Sequence, residues 1–169
     1  MTDHTERPLL FLDVDGPLLP FGSGPKHEPS GAGPHAHLAR LDPRIGPQLA
    51  ALPCALVWAT TWEDDANAEI APRLGLPPLP VVNWPQATSE QEHEDRWFGL
   101  CWKTRTLAAW ADGRPFAWVD DEITDADRDW IHAHHHGPAL LHHVASSKGL
   151  TDDDFTALDQ WLRAGANHL

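Results

Sequence analysis

Three groups of polar residues in this chain could do chemistry together. The first is Asp13-Val14-Asp15-Gly16, two carboxylates one residue apart that close the apolar run Leu9-Leu10-Phe11-Leu12. Strand alternation sends Asp13 and Asp15 to one side, where they repel unless a cation or a proton compensates. Thr60 and Thr61 follow a second apolar run, Cys54 to Ala59, and Asp120-Asp121-Glu122 follow a third, Pro115 to Val119. Carboxylates beside hydroxyls make a hard, oxygen-rich site that suits Mg²⁺, which takes one or two carboxylates, keeps waters and uses substrate phosphate as a further ligand. Zinc would want His or Cys, and neither stands at these three ends.

The elements that must position these groups alternate. Strands are expected at 8–13, 54–59, 79–82, 115–120 and 139–144. Helices are expected from Asp42-Pro43 to about Leu52, from about Glu63 to Leu74 with Gly75 as its stop, from about Trp102 to Ala111, and over 124–135. A last helix is capped by Thr151 and buries Phe155, Leu158 and Leu162. Residues 20–37, rich in Pro and Gly, read as a flexible loop, and 83–100 as irregular, polar and acidic. Strand and helix in turn predict an α/β fold with a parallel sheet in three layers. With the first strand central and the second and fourth beside it, all three polar ends meet at one switch point, where such sheets bind ligands.

Each group has a plain structural reading as well. Asp-x-Asp-Gly can be only a turn, Thr60 and Thr61 can cap the following helix, and Asp120-Asp121 can open an acidic helix that also carries Asp125, Asp127 and Asp129. Their joint position at strand ends favours the site. Lys103 adds to it, because it lies on the inward stripe of its helix, four residues before Leu107 and seven before Trp110, in a first turn where the dipole disfavours a cation. It is either a snorkelling lysine or an ammonium held against the carboxylates.

Length and charge bound the answer. At 169 residues the chain fits a single domain, 1–169, with a sizeable core. The net charge of −13 argues against a broad grip on nucleic acid or anionic membrane, though not against a nucleotide or a nucleic-acid end docked through a metal. No apolar run approaches the ~20 residues that span a bilayer, and Met1 to Pro8 lacks a signal-peptide pattern. No membrane association and a cytoplasmic location are therefore expected. Cys54 and Cys101 read as free core thiols.

The ordered set Asp13-Val14-Asp15-Gly16, Thr60, Lys103 and Asp120-Asp121 resembles the four motifs of the haloacid dehalogenase (HAD) superfamily over nearly the whole chain. Within it, Val57-Trp58-Ala59-Thr60-Thr61-Trp62, Ala66-Asn67, Trp102-Lys103-Thr104 and Trp118-Val119-Asp120-Asp121-Glu122 resemble a small capless group related to HAD domains attached to RNA-repair proteins. The resemblance implies a Rossmann-like fold with five parallel strands in the order 3-2-1-4-5 and no large cap domain.

It also implies a Mg²⁺-dependent phosphohydrolase. Asp13 would be the nucleophile, Asp15 the general acid and base, and Thr60 (or its neighbour Thr61) a ligand of the phosphoryl oxygen. Lys103 would stabilise the charge on nucleophile and phosphoryl group. Asp120 would bind Mg²⁺ with Asp13 and the backbone carbonyl of Asp15, while Asp121 would orient a metal water or pair with Lys103; the two adjacent acids could exchange roles. Gly16, Thr61 and Trp62 are expected on the substrate side, Trp62 either stacking on a base or sugar or filling the core. Pro17 departs from the Thr or Val common after the first motif, which stiffens the turn without removing a catalytic side chain. An open site favours a bulky substrate or a lid from a partner subunit, hence a homo-oligomer as one expectation. The substrate would be a phosphorylated small molecule, a nucleotide or a nucleic-acid end. A non-catalytic HAD module that binds a phosphorylated ligand is the competing class.

Among the nine tryptophans, Trp58, Trp110, Trp118 and Trp161 are expected in the core. His132, His134, His135, His136, His142 and His143 crowd a helix end and a strand; with no acidic general base beside them they are left out of the site.

Overall fold

Leu9, Leu10, Phe11 and Leu12 are all buried, as a strand covered on both faces requires. A computed structural model describes residues 7–21 and 36–166 of the chain. Among these residues four strands form one sheet, β1 (Leu9–Leu12), β2 (Ala55–Trp58), β3 (Phe116–Asp120) and β4 (Ala139–His143), all parallel and ordered β2-β1-β3-β4. Alternate residues divide the core in two. Leu10, Leu12, Trp58, Ala117 and Val119 pack on one face, while Leu9, Phe11, Val57, Phe116 and Trp118 pack on the other.

Helices cover both faces. On the first lie α1 (Ile45–Ala50), α2 (Ala71–Leu74) and α6 (Asp152–Ala166), which contribute Leu49, Leu74 and the trio Phe155, Leu158 and Leu162. On the second lie α4 (Thr104–Ala111) and α5 (Asp125–His134), with Leu107, Ala111 and Ile131. Between α2 and α4 runs α3 (Ser89–Phe98). The three layers are those of a Rossmann-like α/β domain.

Four of the expected strands form, but the stretch 79–82 does not. It reaches the sheet through one isolated parallel bridge, Trp58 to Val81, outside β2. Pro77, Pro78 and Pro80 explain the shortfall, since none has an N–H to donate to a ladder. Trp58 donates to the Pro80 carbonyl, Val82 donates back to Trp58, and the Leu79 amide is taken by the Asn67 side chain.

Three further expectations change. The stretch 83–100 is not irregular throughout, because α3 occupies its second half, entered by a reciprocal cap between Thr88 and Gln91 and closed by Gly99 in the left-handed region. The helix expected over 63–74 is split into a wide π turn, Ala66–Ile70, and α2. Pro72 has no N–H to return to the preceding turn, which breaks the regular ladder there. Trp58 and Trp118 are core residues, but Trp110 lies outside the core, 38% exposed with its ring edge-on to Phe11, and Trp161 is only half-buried. Positions 22–35 of the loop expected at 20–37 lie outside the described residues, and Ala36–Arg40 form a short 3₁₀ turn.

Cys54 is buried and Cys101 half-buried, and both are free thiols; burial pushes each up to about 12. Among the described residues, no helix is long and apolar enough to cross a membrane.

Candidate active site

Parallel strands end together, so β1, β2 and β3 deliver their next residues to one edge of the sheet. Asp13 follows β1, Thr60 lies two residues past β2, and Asp120 is the last residue of β3. All three are buried, and Lys103 with them: Asp13 is 6% exposed, Thr60 and Asp120 0%, and Lys103 2%.

Lys103 sits just before α4, where the chain turns in from Cys101. Its ammonium donates to Asp120 Oδ2 at 2.7 Å and to the Ala59 carbonyl at 3.0 Å, and stands 3.2 Å from Asp13 Oδ1. The three donor positions of an ammonium are thus used. Trp84 and Trp102, packed edge to face at 4.8 Å, flank it with ring centroids 5.9 and 5.5 Å from the nitrogen. Burial alone would lower the lysine, but Asp13 and Asp120 outweigh it and hold it above its ordinary value. Lys103 is therefore a fixed cation in the interior.

One cation does not balance the acids around it. Oxygens of Asp13, Asp120 and Asp121 all lie within 4.8 Å of one another. Burial pushes Asp13 up to about 8, with Lys103 opposing and Asp120 adding to the rise. Burial, then a hydrogen bond and the charge of Asp120, push Asp121 up to about 6. Three carboxylates against one ammonium leave a deficit of two charges, which a divalent cation would close. The donors are all hard oxygens with no thiolate or imidazole among them, so the residues fit Mg²⁺.

Asp120 is held from three sides, by Lys103, by the Trp118 indole N–H at 3.2 Å and by the Glu122 amide at 3.0 Å. Trp118 and Asp120 share a side of β3, so that contact follows from alternation. Of the two neighbouring acids it is Asp120, not Asp121, that pairs with Lys103.

Asp15 departs from the expected alternation. The strand pattern stops at Leu12, and Leu18 and Leu19 donate to the Val14 carbonyl, folding the chain back on itself. The Asp15 side chain consequently stays exposed and lies outside the carboxylate cluster. Gly16 turns at φ +103°, and a Cβ there would come within 2.9 Å of Asp121 Cγ. Its amide is taken by the Leu19 carbonyl. Glycine therefore serves here to let Asp121 close on the loop.

Thr60 and Thr61 are distinguished by burial: Thr60 is enclosed and Thr61 exposed. The Thr60 hydroxyl accepts from the Trp62 amide at 3.2 Å, which leaves its proton to donate, and its carbonyl accepts from the Trp84 indole at 3.0 Å. Trp62 is half-buried against the core and its indole N–H donates to Asp15 Oδ2 at 3.2 Å.

Asp127 supports the site from below. Fully buried, it accepts from the Cys101 amide at 2.8 Å and the Thr104 hydroxyl at 2.6 Å with one oxygen, and from Thr124 with the other. It ties the start of α5 to the turn that carries Lys103. As a member of an acidic run near a helix start it reads as surface charge, and the Thr124–Asp127 spacing of a reciprocal cap is its only signal in the sequence. Asp127→Ala is expected to cost about 2–4 kcal/mol by orphaning buried donors, measured by urea denaturation. A loss under about 0.5 kcal/mol would mean the tie carries little.

The histidines of 132–143 are not part of the cluster. His135 meets the Arg114 carbonyl, His134 stacks on Trp130, and His142 pairs with Asp154 at 2.8 Å.

A family model described as HAD domain in Swiss Army Knife RNA repair proteins matches residues 9–155. No curated protein and no solved structure matches the chain.

Proposed function

The chain belongs to this HAD domain family, and on that footing we propose that it is a Mg²⁺-dependent phosphohydrolase acting on phosphomonoesters. The observation that carries this is the buried Asp13–Lys103–Asp120 group with Asp121 beside it at the carboxyl edge of a parallel sheet. A purely structural ion pair needs no surplus carboxylates, whereas phosphoryl transfer needs a nucleophile, a cation site and a fixed positive charge in one place.

Asp13 attacks phosphorus while Asp15 gives its proton to the leaving oxygen, so the ester bond breaks as the aspartyl-phosphate forms. Asp15, now ionised, takes a proton from water, which attacks the same phosphorus and frees Asp13. Thr60 donates its hydroxyl proton to a phosphoryl oxygen, and Lys103 balances the charge that develops. Asp13, Asp120 and Asp121 would hold Mg²⁺, which neutralises charge and aligns the displacement. The substrate is a phosphorylated metabolite, a nucleotide or a nucleic-acid end; the family's RNA-repair setting supports the last of these.

The test is a phosphoester panel of sugar phosphates, nucleotides, 3′- and 5′-phosphorylated oligonucleotides and a generic aryl phosphate, with and without Mg²⁺. Hydrolysis that requires the metal is expected. Wild type as inactive as Asp13→Asn on every member would sink the proposal and favour a binding module.

Metal affinity should depend on pH. Ligand carboxylates must be ionised, and Asp13 at about 8 and Asp121 at about 6 hold protons that the cation displaces. Apparent Mg²⁺ affinity should climb as pH rises from 6 to 8, by up to about tenfold per pH unit for each proton released, then level off. Calorimetry in buffers of different ionisation enthalpy reads both affinity and proton release. A flat profile without proton release would contradict it.

A further inference from the structure

Asp15 is exposed where the turn over 16–18 begins, yet a general acid must hold one oxygen on the leaving group. Trp62 supplies what the turn does not. Its ring packs against the core cluster, its amide donates to Thr60 Oγ1 at 3.2 Å, and its indole N–H donates to Asp15 Oδ2 at 3.2 Å. One residue thus couples the hydroxyl expected on the phosphoryl group to the carboxyl expected on the leaving oxygen. An indole N–H only donates and stays neutral at any working pH. A donor on Oδ2 leaves Oδ1 as the oxygen to carry the catalytic proton.

We propose that Trp62 is the positioning residue for Asp15, directing its proton to Oδ1 and holding that oxygen toward the ester oxygen that leaves. This rests on the phosphohydrolase assignment. In the step concerned, the proton passes from Asp15 Oδ1 to the leaving oxygen as its bond to phosphorus breaks and the Asp13–phosphorus bond forms. Asp15 is left as the carboxylate, still held by the indole N–H. Thr60 is oriented by the same residue through its backbone, a contact that ring substitution leaves in place.

The test is leaving-group dependence, which separates proton delivery from general damage. Wild type, Trp62→Phe, Asp15→Asn and the double variant are compared on substituted aryl phosphates whose phenols span pKa values from roughly 7 to 10. A good leaving group needs little help from an acid, and a poor one needs much. Trp62→Phe should steepen the fall of kcat/KM with leaving-group pKa, so the poorest substrate loses about 10–100-fold more than the best. Partly misfolded enzyme lowers every rate equally and leaves that slope unchanged. In the Asp15→Asn background, Trp62→Phe should steepen it no further.

A slope unchanged by Trp62→Phe overturns the proposal, and so does equal steepening in both backgrounds. Wild type inactive on the whole series with Mg²⁺ removes the phosphohydrolase assignment and this inference with it. Should Trp62→Phe not fold, the contact is read with Trp62 intact: Asp15→Ala should move the Trp62 indole N–H resonance upfield, and an unmoved resonance overturns the proposal.

Discussion

Asp13→Asn is expected to abolish phosphomonoester hydrolysis, by on the order of 10⁴–10⁶-fold in kcat, while leaving the fold intact. An amide of the same shape cannot form the aspartyl-phosphate, so no residual route through the first displacement survives. Stability should respond in the opposite sense. The carboxyl of Asp13 is held at about 8 in the folded metal-free chain against 3.8 as an ordinary aspartate. The folded state therefore binds a proton that the unfolded chain has released, and metal-free wild type loses stability as pH rises from about 4 to 8. The amide that replaces the carboxyl in the variant has no such proton. Lys103 keeps Asp120 and the Ala59 carbonyl as partners there. The melting temperature of Asp13→Asn relative to wild type should thus climb across that window and flatten above it, in chelator. With Mg²⁺ the order reverses, because the cation stabilises wild type by binding and the variant has lost a ligand. A variant that retains more than about a hundredth of wild-type kcat would remove Asp13 as nucleophile.

What the sequence made legible divides along physical lines. Asp13, Thr60, Lys103 and Asp120 could be placed because each stands where an apolar pattern stops or turns inward, and strand ends in a parallel sheet converge. Asp15 is harder, since alternation does not extend past Leu12 into the turn that carries it. The helix α3 leaves no trace in the hydrophobic pattern because none of its residues is buried, and Trp97 is 80% exposed. Its cap, Thr88 with Gln91, and its stop, Gly99, are readable, and these local signals are the only ones available. The stretch 79–82 fails for the converse reason. Its apolar residues look like a strand, but hydrogen-bond capacity, which the prolines remove, decides whether a strand forms.

Contacts between distant segments are the least visible. Asp127 reaches back 26 residues to the Cys101 amide, and Trp62 reaches 47 residues to Asp15. Neither distance is encoded in any period or spacing. Both become obvious only when the sheet brings the ends of β1, β2 and β3 together. The same is true of the excess of carboxylate over ammonium, because the chain's charge of −13 says nothing about where the acids gather.

Lys103→Met should strongly destabilise the fold. The substitution keeps the aliphatic stem, ending one atom short of the ammonium, and removes the charge, so the packing against Trp84 and Trp102 is largely preserved while Asp13 and Asp120 lose their cation. Removing one partner of a buried ion pair costs about 3–5 kcal/mol, because the carboxylate left behind keeps its desolvation penalty. Here Asp13, Asp120 and the Ala59 carbonyl lose that cation at once, and Asp120 keeps only the Trp118 and Glu122 N–H donors. Urea denaturation at pH 8 in chelator should show that loss. The sign of its pH dependence follows from Asp13, whose carboxyl, already at about 8 beside Lys103, rises further without it. The folded variant then holds its proton over a wider range than the unfolded chain, so it is most stable in acid and weakens as pH rises. The deficit against wild type should be constant below about pH 8 and widen above it, where Asp13 of wild type has released its proton and that of the variant has not. Asp120→Asn placed on Lys103→Met should return part of the stability, since it removes one stranded charge, whereas Asp120→Asn alone should not stabilise. Hydrolysis should not return in the double variant, because charge balance and catalysis need different things from this position. Two neutral side chains can satisfy the first, but only a cation opposes the negative charge that grows on the phosphoryl oxygens. Lys103→Met as stable as wild type at pH 8 would mean that Asp13 and Asp120 do not depend on this ammonium, and the site would have to be rebuilt around another partner.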